Sequence, residues 1–311
     1  MIADTARRIR ENVQRVIVGK TDIIDLVLTA ILSEGHVLLE DVPGTGKTTL
    51  AKAIAISLGA TFRRIQFTPD LLPSDVTGIS FFNQKTQEFE FRPGPILSQV
   101  LLTDEINRAT PRTQSALLEA MQERQITVDL QTYKLPRPFL VLATQNPIEL
   151  EGTFPLPEAQ IDRFLMKVDI GYPTEQEERD ILTRFRLSDP LESLKPVTDP
   201  ETVLRMIAGV REVRVEASVH NYIVQVIRTT REHPEVDLGA SPRATMALYR
   251  TSQAWAAIHG RDFVLPDDVK KLAPYVITHR IMLSPQMRLR GRKPEEIVTD
   301  IVSTVPVPVE V

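Results

Sequence analysis

The sequence predicts an α/β protein: a five-stranded parallel-sheet domain followed by an all-α domain. Two observations carry this. Up to Ile170, short apolar segments alternate with helical stretches, the pattern of strands covered on both faces. After Ile170 the alternation stops, and the rest of the chain is helical in texture. Strands are expected over 36–40, 61–67, 99–103, 139–144 and 164–170, with helices such as 47–58 and 112–123 between them. Strand and helix in turn imply right-handed crossovers in one sheet.

The helical part carries its own start signals. Thr174 and Glu177 have the spacing of a capping box. Ser241-Pro242 places an N-cap residue before a proline suited to the first helical position. The next helix sets Ala244, Leu248, Thr251, Trp255 and Ile258 on one stripe, so Trp255 and Met246 read as packing. The expected division is 1–172 and 173–311, with everything after about Arg292 a weakly anchored tail.

With 311 residues, 42% hydrophobic and 25% charged, the chain has the composition of a soluble two-domain protein. A net charge of −4 gives no general attraction to nucleic acid or anionic membrane. The chain has no cysteine, which removes disulfides and thiolate metal sites and suits a reducing cytoplasm. No apolar run is long enough to span a bilayer, and the first residues are charged and amphipathic, unlike a secretory leader. A cytoplasmic location is expected.

The chemistry begins after the first strand. Pro43-Gly44-Thr45-Gly46-Lys47-Thr48-Thr49 joins an apolar strand to a helix. Glycines there let the backbone wrap phosphate oxygens with its N–H groups. Lys47 adds a mobile positive charge and Thr48 a hydroxyl for Mg²⁺. Asp41 stands where this phosphate-loop pattern usually has its first glycine, at the end of the strand, where the variation is tolerable. A later apolar strand ends in Asp104-Glu105. Asp104 is placed to hold the Mg²⁺ shell, and Glu105 to orient and deprotonate an attacking water. A third strand leads to Asn146, which would lie beside Glu105 if the strands are neighbours. ATP and Mg²⁺ are the expected substrate and cofactor.

In order and spacing these motifs resemble the AAA+ ATPases, and within them the MoxR family. The most telling stretches are TDEINRATPRTQSALLEAMQERQITV and LATQNPIELEGTFPLPEAQIDRF, and the resemblance runs from about Val16 to Pro285. It implies that Val18-Gly19 lines an adenine pocket and that Asn146 is the sensor 1 residue. Arg163 would be an arginine finger reaching a neighbouring subunit; the alternative use of that side chain is a surface ion pair with Asp162. Arg243 would be sensor 2, closing from the helical lid over its own subunit's nucleotide. Both assignments suit arginine, which is always charged and forks onto phosphate oxygens. Gln66, late in the second strand, could restrain Glu105 or simply be a solvated residue. Segments 70–95 and 127–137 read as inserted hairpins, which in related proteins line a central pore; Phe81-Phe82 could grip a substrate there or pack on the sheet. The resemblance further implies a four-helix lid with ATP between the domains and a homo-oligomeric ring, a hexamer. It also implies protein clients with von Willebrand factor A-type domains, or metalloenzymes under maturation.

Other classes fit less well. A DNA-acting motor or transcription activator would need a loop sequence that is missing here and sits poorly with the acidic charge. A switch that binds ATP without hydrolysing it is at odds with Glu105 and Asn146. The five histidines form no metal-binding pair. The run Arg288, Arg290, Arg292 and Lys293 reads as a solvated face.

Overall fold

Two helices open the chain, the amphipathic α1 (Ile2–Gln14) and α2 (Thr21–Leu32), which is buried along its length from Ile23 on; they place Ile9, Val13, Ile24 and Leu28 in the core. The computed structural model describes residues 1–40, 44–145, 152–186 and 188–308. Strand β1 (Val37–Glu40) leads into α3 (Lys47–Ser57), then β2 (Phe62–Gln66). A short helix α4 (Pro73–Thr77) precedes a hairpin of β3 (Gly78–Asn83) and β4 (Glu88–Pro93). The core resumes with β5 (Val100–Asp104) and α5 (Pro111–Glu123). A second hairpin comes next, β6 (Gln125–Val128) and β7 (Gln131–Lys134), and then β8 (Leu140–Gln145). Helix α6 (Glu158–Ile161) and β9 (Met166–Val168) complete the sheet domain.

Five strands form one parallel sheet in the order β2-β5-β8-β1-β9. Central β5 and β8 are apolar and buried, as strands with helices on both faces must be. Register sets Gln66 opposite Asp104 and Glu40 opposite Gln145, so the carboxyl ends of four strands finish at one edge. The five expected strands are all present, and both expected insertions are antiparallel hairpins. On the first, Phe82 and Phe89 meet edge to face across the strands, both substantially exposed.

The second domain is richer than four helices. It holds α7 (Glu175–Arg184), α8 (Pro200–Val210), α9 (Ala217–Glu232), the strand β10 (Val236–Leu238), α10 (Pro242–Ile258) and α11 (Pro266–Ile277). The strand β11 (Met282–Leu283) pairs antiparallel with β10, and α12 (Pro285–Leu289) and α13 (Pro294–Thr304) end the domain. Thr174 caps α7 through the expected box, and the α10 stripe from Ala244 to Ile258 is buried. Two expectations are corrected. Met246 is half exposed instead of packed. The segment after Arg292 is an anchored helix, because Pro294 and two glutamates start it and Ile297, Val298 and Ile301 are buried. Arg292 itself pairs with Glu235, Glu296 and Asp300.

One continuous core runs from α1, α2 and α3 through the sheet face into α8, α9, α10, α11 and α13. A second, smaller core lies on the opposite face, under α5 and the hairpins. The helical domain is thus seated largely on α1 and α2, while α7 reaches toward the turn that opens α3.

Candidate functional site

The turn into α3 is built from glycines in left-handed conformations, Gly44 at φ +87° and Gly46 at φ +84°. Among the described residues no atom lies within 4 Å of the place a Cβ would take at either, and the left-handed backbone is what favours glycine there. The N-cap of α3 is Gly46, which has no side chain, and the first-turn N–H groups of a helix are the ones that suit an anion. They face a cavity of about 380 Å³ lined by Gly44 through Thr49, Arg64, Gln66, Asp104, Glu105, Thr144 and Gln145. Gly44, Thr45, Gly46, Lys47, Thr48, Thr49, Asp104 and Glu105 are therefore brought together. Pro43, Asn146 and Asp41 lie outside the described residues.

The two carboxylates are tightly held. Asp104 Oδ1 accepts from Thr144 Oγ1 at 3.3 Å, and its Oδ2 accepts from Arg64 Nε at 2.5 Å. Glu105 has a left-handed backbone, φ +56°, a conformation that costs a non-glycine residue about 1–3 kcal/mol. Its N–H donates to the same Thr144 hydroxyl at 2.8 Å, which pins the twist. Its carboxylate accepts from Gln66 Nε2 at 2.7 Å and pairs with Arg108 Nε at 2.8 Å. Gln66 is thus a partner of Glu105 rather than a merely solvated residue. Arg64 belongs to no motif of the sequence, and Arg108 and Thr144 lie inside the quoted family stretches without a role having been assigned to them. Arg64 stands two residues before Gln66, hence on the same face of β2, and that spacing was the available signal.

The donor set fits magnesium. Thr48 and Asp104 offer hard oxygens in one cavity, and Mg²⁺ bound with ATP takes one or two protein ligands, the rest coming from phosphate and water.

A narrower cleft of about 190 Å³ shares Gly44, Thr45, Gly46 and Thr49 with the phosphate cavity. Its walls are apolar: Val16 and Val18, Ile170 and Pro173, and Ile181 and Phe185 of α7 and its C-terminal end. A flat base joined to a phosphate chain suits this shape. Val18 lines it directly. Gly19, at φ +65°, borders it, and a Cβ there would run into the Glu177 side chain that caps α7.

Arg163 and Arg243 are elsewhere. They line a third cavity of about 530 Å³, with Asp162, Arg124 and Arg250, and it shares no residue with the phosphate cavity. This corrects the expected closure of Arg243 over its own nucleotide. The cause is the seating of the helical domain: α10 packs on α2, so its first turn meets the end of α6. There Arg243 Nη1 lies 3.8 Å from Asp162 Oδ2. The ion pairs of Asp162 are with Arg243 and Arg280, two residues of the helical domain.

Residues 36–166 match the family model described as "ATPase family associated with various cellular activities (AAA)", and residues 228–301 match the AAA lid domain. YeaC of Bacillus subtilis (strain 168) is 55% identical over 96% of this chain and 94% of its own length. Chaperone MoxR1 of Mycobacterium tuberculosis is 41% identical over 98% of this chain and 82% of its own. Protein MoxR of Methylorubrum extorquens is 32% identical over 98% and 96%. A crystal structure from Cytophaga hutchinsonii superposes with a TM-score of 0.93 at 38% identity, covering 99% of this chain and 96% of that one.

Proposed function

This chain belongs to the MoxR family of AAA ATPases, and on that footing we propose that it hydrolyses MgATP within a homo-oligomeric ring, a hexamer, to remodel or activate partner proteins. The observation that carries the proposal is the division of the machinery. Phosphate loop and both carboxylates share one cavity, while Arg163 and Arg243 share another. A head-to-tail arrangement brings the second cavity of one subunit to the first cavity of the next.

In that arrangement the base sits between Val18 and Phe185, and the N–H groups opening α3 with Lys47 hold the β- and γ-phosphates. Thr48 and Asp104 hold Mg²⁺, which when bound neutralises charge on the phosphate oxygens. Glu105 orients the attacking water and takes its proton, and Asn146 serves as the sensor 1 residue. Gln66 restrains Glu105 until the restraint is released. Arg163 and Arg243 reach the neighbour's γ-phosphate, where charge spreads in the transition state. Residues 1–172 serve as the ATPase core and 173–311 as the lid, in a cytoplasmic protein. Clients with von Willebrand factor A-type domains, or metalloenzymes under maturation, are inferred from the family resemblance. The Mycobacterium tuberculosis relative bears the name chaperone, which supports a protein client.

The test separates binding from turnover. Lys47→Ala should lose nucleotide binding. Glu105→Gln should keep ATP affinity and lose about 10²–10⁴-fold in hydrolysis. That same variant, loaded with ATP, should retain a von Willebrand factor A-type domain that it releases in ADP. Equal affinity for Lys47→Ala and the parent protein would overturn the phosphate site, and retention indifferent to nucleotide would overturn the client.

A further inference from the structure

Asp162 stands between the helical domain and the turn that carries Arg163, and both its oxygens are engaged. Oδ2 accepts from Ser241 Oγ at 3.2 Å and faces Arg243, whereas Oδ1 accepts from Arg280 Nε at 2.7 Å. The Arg280 side chain is only 3% exposed. Its other N–H groups go to carbonyl oxygens: Nη1 to Leu165 at 3.0 Å and to Val276, Nη2 to Phe164 at 2.6 Å and Asp162 at 3.2 Å. Three of these carbonyls belong to the turn between α6 and β9, and the fourth belongs to α11. Next door, the partly buried His279 adds a contact from Nε2 to the Phe164 carbonyl at 3.1 Å. A guanidinium withdrawn from water survives only when its donors are met, and here the finger-bearing turn meets most of them.

We propose that Arg280 is a positioning residue: it clamps the Asp162–Leu165 turn to the helical domain, so that Arg163 and Arg243 are presented to a neighbouring subunit as one rigid pair. The inference rests on the reading that these two arginines serve the neighbour's nucleotide. It explains why a charge is buried at a junction that apolar side chains could have filled: only a planar fork reaches a carboxylate and several carbonyls at once. Lysine carries the same charge and cannot do so.

Arg280→Lys therefore has a defined signature. Assembled protein should lose up to about 10²-fold in kcat, the cost of a misplaced catalytic group, with KM for ATP unchanged because the nucleotide's own cavity is untouched. Mixing should then sort the defect to one side of the interface. Arg280→Lys subunits mixed with Lys47→Ala subunits should regain hydrolysis, since an intact phosphate loop meets an intact finger. Mixed with Arg163→Ala subunits they should regain none. A control of Lys47→Ala with Arg163→Ala tests the underlying reading, and no recovery in that control overturns the trans arrangement itself. Recovery in the control, with full activity of Arg280→Lys or with rescue by neither partner, overturns the role of Arg280 alone. If size-exclusion and melting show that Arg280→Lys does not assemble, Asp162→Asn goes through the same mixtures. It keeps the shape and removes the charge, and absence of the one-sided rescue overturns the proposal.

Discussion

Protonating His36 would set two N–H groups against each other. The backbone N–H of Val141 donates to His36 Nδ1 at 3.0 Å, so the ring proton sits on Nε2, which donates to the Met121 carbonyl at 3.2 Å. Burial is the main cause that pushes the pKa of His36 down to about 4 from 6.5, against the pull of the Met121 carbonyl. The unfolded chain then binds the proton more readily than the folded one between those values. Stability is full above pH 6.5 and falls as the pH drops toward about 4. From pH 7 to pH 5 this group alone should cost about 2 kcal/mol. His36→Asn, which does not titrate, should lose less stability over that interval in urea melts; equal losses in both proteins would deny His36 the effect. Single residues divide sharply in how well the sequence announced them. The phosphate loop was legible because its chemistry lies in seven consecutive positions. Arg64, Thr144 and Arg280 were not, since each acts on a residue that only strand register or domain seating brings near.

At the scale of elements, hydrophobic period located β1, β5 and β8 well, as apolar runs within strands four to six residues long leave few alternatives, whereas β2 carries Arg63, Arg64 and Gln66 and only Ile65 of it is buried. The fifth strand came out shorter than expected, at Met166–Val168, because the Arg280 contacts hold the residues before it in a turn. The end of the chain departs further from expectation. Its proline-rich close resembles a loose tail, and it masks the helix just before it. Yet Pro294-Glu295-Glu296 is a start signal, and Ile297, Val298 and Ile301 share a face. That correction is measurable. Ile297 is fully buried, so Ile297→Ala should cost about 2–5 kcal/mol in chemical denaturation. A loose tail would instead give a change within about 0.5 kcal/mol.

For the whole molecule, the sequence announced amphipathic helices after Ile170 but not the surface that receives them. A stripe of apolar residues specifies that a face is buried, and any complementary face satisfies it. Seating α10 on α2 rather than over the nucleotide moved Arg243 from an expected cis role to the company of Arg163. Under the proposed arrangement, specific activity should rise with protein concentration as subunits assemble. Dilution series of steady-state hydrolysis check this, and flat activity from a monomer would remove the ring from the proposal. The same proposed arrangement also fixes how sites are counted. Under it a monomer owns two halves that do not meet, and so has no complete site. An open row of n subunits has n − 1, with one terminal phosphate loop lacking arginines and one terminal arginine pair lacking a nucleotide. Closure alone makes sites equal subunits. The gain from closing is therefore one whole active site at a single step, and a population caught between open and closed forms would show fewer turnovers than its bound nucleotide implies.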